Sequence, residues 1–376
     1  MTLQSLWRFF AWPILAGLLV AILAFFFFPE LRPQAPTPVA AQPLSYAEAV
    51  NHAAESVVNV YSRRLVEPSR HPLANHPLYR HLFRHPQQQE RMQSALGSGV
   101  IVSEEGYLLT NNHVIDGADE VLVLLHDGRR ARAAFIGSDP ESDLAVLKIE
   151  LDNLTPIQIG NPAQARVGDV VLAIGNPFGV GQTVTLGIIS ALSRYGLGLS
   201  AYENYIQTDA AINPGNSGGA LIDATGKLLG INAAVIDDTV GIGFAVPADD
   251  AMKTLESIVR YGRVVRGWLG LDVERITPAI AQSLGLQNVT GVLVTAVLPG
   301  NPAHLAGMRP GDVITHINGQ AIGNERQGLN QVADISPGTR INIRLLRPQS
   351  DSRLPQELEL QATVGERPPP AAVNRT

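Results

Sequence analysis

The sequence contains no cysteine. That excludes disulfide scaffolds, thiolate nucleophiles, Cys-based zinc sites and iron–sulfur clusters, but it leaves the compartment open, because a cysteine-free chain tolerates either redox poise. Charge is also scarce: Asp, Glu, Lys and Arg make up 16% of the residues, against a usual ~25%. The net charge of −6 gives no electrostatic footprint for nucleic acid. Lysine is confined to Lys148, Lys227 and Lys253, a bias that nothing in the sequence explains. Turn-formers are abundant instead, with 35 glycines and 26 prolines in 376 residues, both above the usual ~7% and ~5%. Many short strands are expected. An apolar content of 45% is enough for real cores and excludes wholesale disorder. At roughly 150 residues per domain, the length predicts two or three.

The one long apolar run is Phe9 to Phe28, preceded by Arg8 and followed by Pro29 and Glu30. Twenty helical residues reach about 30 Å, the thickness of a hydrocarbon core. Trp7 and Trp12 stand near its start, where indole rings favour a membrane interface. A cleaved signal peptide would have a shorter apolar region, and the nearest small-residue site, Val39-Ala40-Ala41, lies well past its end. Residues 1–32 are therefore expected to form an N-terminal transmembrane anchor, with Arg8 favouring a cytoplasmic amino end. Residues 33–45 follow as a linker in which Pro33, Pro36, Pro38 and Pro43 favour an extended spacer.

Ala49, Val50, Ala53, Ala54 and Val57 then recur at helical spacing before the chain turns to strand-like alternation. A polar stretch follows with His71, His76, His81 and His85. His81 and His85 are spaced to share a helix face as metal ligands do, but Pro72, Pro77 and Pro86 and the interspersed arginines read as a surface loop, and no metal is expected. From Gly97 to Val246, β-branched runs are cut by Gly, Asn and Asp, as in an all-β barrel or sandwich. Pro247 opens a helix with Asp249 and Asp250 near its start, Met252, Leu255, Ile258 and Val259 on one face, and Gly262 at its end. A second β-rich module covers residues 266–364, and residues 365–376 are expected to be a disordered tail.

Three segments carry candidate chemistry: TNNHV with His113, SDLAVL with Asp143, and GNSGG with Ser217. A serine hydroxyl is a poor nucleophile until an imidazole takes its proton, and a carboxylate fixes the imidazole tautomer. Glycines beside the serine free the N–H groups of Gly215 and Ser217 to converge on a developing oxyanion. Taken singly, each segment also fits an ordinary turn or cap.

TNNHV, SDLAVLK and GNSGGAL, together with LAIGNPFG, QTVTLGIIS, YIQTDAAINPGNSGG, GINAAV and GIGFAVP, resemble the HtrA (high-temperature requirement A) serine proteases across nearly all of Gly97 to Val246. The resemblance implies a chymotrypsin-like double β-barrel over residues 46–262, including the linker helix. It makes His113 the general base, Asp143 its orienting partner, Ser217 the nucleophile, and Gly215 with Ser217 the oxyanion hole. Ala211 stands where an acidic residue would select Arg or Lys side chains, so a pocket for small aliphatic side chains is expected. Asn216 replaces the Asp that would receive a newly cut amino terminus, so zymogen cleavage is not expected.

Residues 266–364 contain Trp268-Leu269-Gly270-Leu271, Pro302-Ala303, Ala306-Gly307 and Gly311-Asp312-Val313-Ile314, and resemble a single PDZ domain of the HtrA type. By that resemblance Trp268 to Leu271 form the carboxylate-binding loop of a module that adds a peptide to a sheet edge; Trp268 packed against the linker helix is the alternative. An anchor, a protease and one PDZ domain together resemble the membrane-anchored envelope-stress branch of the family. This implies a cofactor-free serine endopeptidase of the inner membrane, with its domains in the periplasm, assembled as a homotrimer. The C-termini of misfolded outer-membrane proteins would activate it, and a membrane-anchored anti-sigma factor would be its substrate. Arg194, in the loop from Ser193 to Glu203, matches the family's activation sensor, with an ordinary surface arginine as the alternative. A general periplasmic quality-control protease and a peptide-binding sensor with a vestigial site are the competing functional readings.

Overall fold

Several strands of the first half are apolar on both faces, and the computed structural model shows what each face meets. It describes residues 45–66, 91–176, 181–235, 241–284, 286, 289–349 and 355–368, with helical positions 12–13, 15–20, 22–23 and 27. Residues 1–45 and 46–376 form separate units. Among the described residues no helix is long and apolar enough to cross a membrane. The expected anchor is thus not present as a continuous described helix; the rest of its apolar run and the prolines of the spacer lie outside the described residues, as does the histidine-rich stretch.

In the larger unit, α1 (Ala47–Ala54) precedes β1 (Val57–Val66), β2 (Arg91–Ile101), β3 (Tyr107–Asn111), the short α2 (Asn112–Ile115), β4 (Glu120–Leu124), β5 (Arg130–Arg132), β6 (Ala134–Asp139) and β7 (Leu144–Lys148). These strands form a seven-stranded antiparallel sheet in the order β5-β4-β1-β2-β3-β7-β6. Its two edge strands, β5 and β6, are joined by Ala133 alone, so the sheet must curl until its edges meet. The chain closes this first barrel, whereas hydrogen bonds close the second. That barrel comprises β8 (Val170–Gly175), β9 (Thr183–Arg194), β10 (Tyr205–Thr208), β11 (Ala220–Asp223), β12 (Leu228–Val235) and β13 (Gly243–Pro247).

Side chains alternate across each strand. Leu108, Ala145 and Leu147 fill the first barrel, and Val171, Ala173 and Leu221 fill the second. Their neighbours Leu109, Leu144, Val146, Leu172, Ile174, Ala220 and Ile222 meet in a third cluster that joins the two barrels. Burial on both faces explains the near-continuous apolar runs.

The linker helix α3 (Ala248–Tyr261) buries Leu255 and Ile258 in that shared cluster and ends on Gly262 at φ 73°. Val259, expected on the same face, is instead exposed, because helical geometry rotates it about 100° from Ile258. Beyond it are β14 (Gly267–Trp268), β15 (Leu271–Arg275), α4 (Pro278–Ser283), β16 (Val292–Val297), α5 (Pro302–Leu305), β17 (Val313–Ile317), β18 (Gln320–Ala321), α6 (Glu325–Ala333), β19 (Arg340–Arg347), β20 (Gln356–Thr363) and β21 (Gly365–Glu366). The sheet runs β15-β16-β17-β19-β20 over a core that includes Val292, Val294, Ile314, Ile343 and Leu345. The expectation of a disordered tail fails at its first residues. Gly365 and Glu366 pair with Trp268 and Gly267, a long-range ladder that local composition does not encode. Residues 369–376 lie outside the described residues.

Candidate active site

His113 sits on α2, immediately after β3, and Asp143 in the turn before β7. The β3–β7 ladder places the two ends side by side, with Asn111 opposite Leu144. The His113 ring Nδ1 lies 2.6 Å from Asp143 Oδ2, and the His113 backbone N–H donates to Oδ1 at 3.0 Å. The Asp143 carbonyl accepts from the Asn112 N–H at 3.1 Å and from Asn111 Nδ2 at 2.9 Å. Four contacts therefore hold one aspartate, at φ 56°, a left-handed conformation that Asp tolerates better than most residues. With Nδ1 engaged by the carboxylate, Nε2 is the imidazole nitrogen left to take a proton. Side-chain exposures of 49% for His113 and 18% for Asp143 put the imidazole at the surface and its partner beneath it.

Ser217 comes from the second barrel, in the turn before β11. A Cβ added at Gly97 would lie 2.6 Å from Val114 and 3.3 Å from the Ser217 carbonyl, so the absence of a side chain there lets the His113 and Ser217 segments approach. The requirement is stronger at Gly218: its φ is 81°, and a Cβ would sit 2.1 Å from the Ser98 carbonyl oxygen. The GNSGG turn is thus glycine-rich because it is pressed against β2 and β3. Gly215 has a φ of 101°, open to a residue without a side chain.

The residues around the turn extend the sequence reading. Ala211 is exposed, and its carbonyl accepts from Thr185 Oγ1 at 2.8 Å and from Asn216 Nδ2 at 3.4 Å. Asn216 is fully buried, and its Oδ1 has no hydrogen-bond partner among the described residues.

The second candidate site is a groove of about 370 Å³ between the Trp268–Leu271 loop and α6, floored by residues such as Ile314 and Ile317. Trp268 borders this groove rather than standing apart from it. The carbonyls of Leu269 and Gly270 accept from the N–H groups of Ala303 and Leu298. In a trans peptide the N–H opposes the carbonyl, so the N–H groups of Gly270 and Leu271 point the other way. Beside them β15 is an edge strand of its sheet, ready for strand addition.

Between the two sites lies a polar interface that no sequence motif marks. Arg266 donates to Asp139 and Glu141, while Arg367 donates to Glu141 at 2.8 Å and to the Tyr202 hydroxyl. Both guanidinium groups lie over the Tyr202 ring, at 4.1 and 5.1 Å from its centroid. Ser142, next to Asp143, donates to Asp139 as well. From α6, Arg326 donates to the Ala201 carbonyl at 2.5 Å and Asn330 to the Glu203 carbonyl at 2.9 Å. The loop they grip is organised by Glu203, whose carboxylate accepts from Leu197 and Leu199 at 2.8 Å each. Burial alone would raise the Glu203 pKa, but these backbone N–H groups outweigh it and hold the carboxyl below the ordinary range. Burial pushes the Tyr205 phenol, close to Asp143, up to about 12. Arg194, expected within the loop, is instead the last residue of β9, paired with Tyr205, and donates to Gln207 on β10 at 2.8 Å. Among the described residues no His, Cys, Asp and Glu cluster could hold a metal.

Comparison with known proteins gives this arrangement its context. The trypsin-like peptidase domain matches residues 97–231 and the PDZ domain residues 293–347. Serine endoprotease DegS of Escherichia coli is 40% identical over 365 residues, which cover 94% of this chain and 96% of DegS. The periplasmic pH-dependent serine endoprotease DegQ of the same organism is 44% identical over 267 residues, covering 70% of this chain but only 59% of DegQ. Among solved structures, the HtrA-type protease AlgW with decapeptide superimposes with a TM-score of 0.72 at 49% identity, covering 87% of this chain and all of that one (100%).

Proposed function

The chain belongs to the HtrA family of serine proteases, as a serine endopeptidase with trypsin-like and PDZ domains, and from that premise we propose that it is a peptide-activated sensor protease of the bacterial envelope. Ser217 is the nucleophile in this reading, His113 its general base and Asp143 the residue that orients the imidazole. The N–H groups of Gly215 and Ser217 receive the oxyanion. The Trp268–Leu271 loop takes the terminal carboxylate of an extended peptide laid along β15. The substrate is a membrane-anchored anti-sigma factor, and the activators are C-termini of misfolded outer-membrane proteins. The chain works as a homotrimer in the periplasm, tethered to the inner membrane by residues 1–32.

The observation that carries the reading is the double use of α6. Gly328, Leu329 and Val332 line the groove, while Arg326 and Asn330 on the same helix hold the loop from Ser193 to Glu203. A peptide that wedges against one face of α6 strains the contacts of the other. It activates only in so far as it binds the active arrangement more tightly than the resting one. Overlap with DegS over 94% of this chain and 96% of that one, against 59% of DegQ, supports a DegS-like reading. Arg194 serves as sensor here by exchanging its Gln207 contact when the loop moves.

The test is cleavage of a periplasmic anti-sigma fragment by the detergent-solubilised chain, with and without hydrophobic C-terminal peptides. Peptide-dependent cleavage that disappears in Ser217→Ala is expected. Efficient casein cleavage without peptide would favour the quality-control protease, and cleavage surviving in Ser217→Ala would defeat the assignment of the nucleophile.

A further inference from the structure

Ser98, on β2, is a fully buried serine that the catalytic assignment does not use, yet all of its polar groups serve the active-site turns. Its N–H donates to the Ser217 carbonyl at 2.8 Å. Its carbonyl accepts from Thr110 Oγ1 at 2.7 Å, on the strand that leads to His113. Its hydroxyl accepts from the Asn176 N–H at 3.0 Å and contacts the Gly215 carbonyl oxygen at 2.7 Å. A hydroxyl has one proton, and the Asn176 N–H is only a donor, so the Ser98 proton is committed to the Gly215 carbonyl.

That carbonyl lies between the two N–H groups assigned to the oxyanion. The Gly215–Asn216 peptide is planar, and both of its ends are held: the carbonyl by Ser98 Oγ, the N–H by the Asn213 carbonyl at 2.9 Å. Gly215, at φ 101°, is a glycine, with the backbone freedom to let that peptide rotate. Rotation of this peptide would swing the adjoining Gly215 and Ser217 N–H groups off a common point. We propose that Ser98 is a positioning residue for the oxyanion hole, its hydroxyl restraining the Gly215–Asn216 peptide so that the two flanking N–H groups converge on the developing negative charge. It also joins that turn to Asn176, whose side-chain oxygen accepts from the Gly181 N–H at 2.9 Å. The inference rests on Ser217 being the nucleophile.

The decisive variant is Ser98→Ala in the full chain, assayed with a chromogenic peptide substrate at saturating activating peptide. We expect kcat to fall roughly 10- to 50-fold, less than when an oxyanion donor itself is deleted, with KM changed less than about twofold. A peptidyl boronate, which forms a tetrahedral anionic adduct, should lose affinity by the same factor as kcat/KM, while the cleaved product peptide binds as before. Unchanged kcat, or equal weakening of boronate and product, would overturn the proposal, since general damage to the site moves both. If the alanine variant does not fold, Ser98→Cys decides: a weaker donor of similar shape should lower kcat at constant KM, and full activity would count against the restraint. A wild-type chain whose cleavage survives Ser217→Ala would remove the premise; a Ser217-dependent wild type with an unaffected Ser98→Ala removes this inference alone.

Discussion

The turn around Ser217 and the interface around Tyr202 are both dense in hydrogen bonds, but they are built from different materials. The turn is backbone and glycine, packed so closely that a methyl group at Gly218 would overlap a carbonyl oxygen. The interface is arginine, carboxylate and one aromatic ring. Steric packing allows essentially one arrangement, because interiors are close-packed and do not deform continuously. The charged contacts are graded instead: Arg266 and Asp139 are nearly buried, Arg367 is more exposed, and the more exposed a pair the more readily its partners are exchanged. The peptide-activated protease proposed above would need both: a reaction geometry that does not wander, and a domain contact that a peptide worth a few kcal/mol can reset.

The contrast can be pressed hardest at the reaction geometry. Asp143→Asn should lower kcat by about 10⁴-fold with the fold intact, because the amide favours the wrong imidazole tautomer; steady-state kinetics with a peptide substrate measures it. Next in size is Gly218→Ala, which should cost about 3–5 kcal/mol and abolish cleavage, visible as a large fall in the thermal midpoint. If this variant folded and cut normally, the rigid-turn account would be wrong. At the interface, Arg266→Ala leaves the buried Asp139 carboxylate with Ser142 as its remaining side-chain donor among the described residues. It should move the ratio of peptide-stimulated to basal rate toward one, severalfold, while kcat at saturating peptide stays within about threefold. The smallest effect is electrostatic: because the folded Glu203 pKa is depressed, its contribution is present above the ordinary glutamate range and lost as pH falls through that range and below. Proteolysis within the 193–203 loop, followed between pH 6 and pH 3.5, should therefore accelerate on acidification in wild type and lose part of that dependence in Glu203→Gln.

The two regions also differed in how far the sequence exposed them. His113 and Asp143 were legible because each lies in a short motif, and the structure joins them by direct hydrogen bonds. The strands were legible as well, although curling of the first sheet was not, since closure through Ala133 depends on which strands pair. Ser98 was invisible despite standing in a motif-rich stretch. A serine beside glycines has many uses, and the partner of its hydroxyl is 117 residues away. Arg266, Arg367 and Tyr202 gave no signal either: each looks like an ordinary loop residue, and Arg367 meets Tyr202 across 165 positions. Val259 shows the limit within one element, since periodicity gives a helix its apolar side but only packing defines that side's edge.

The sequence by itself determined the family, the mainly β character and the order of candidate chemical groups, because period-two alternation, glycine placement and short motifs are local properties written residue by residue. Only the tertiary structure decided which buried polar group meets which: Ser98 with Gly215, Arg266 with Asp139, and the two faces of α6 with groove and loop. Those matches follow from a buried donor or acceptor having to find a partner wherever the fold brings one, at any separation along the chain.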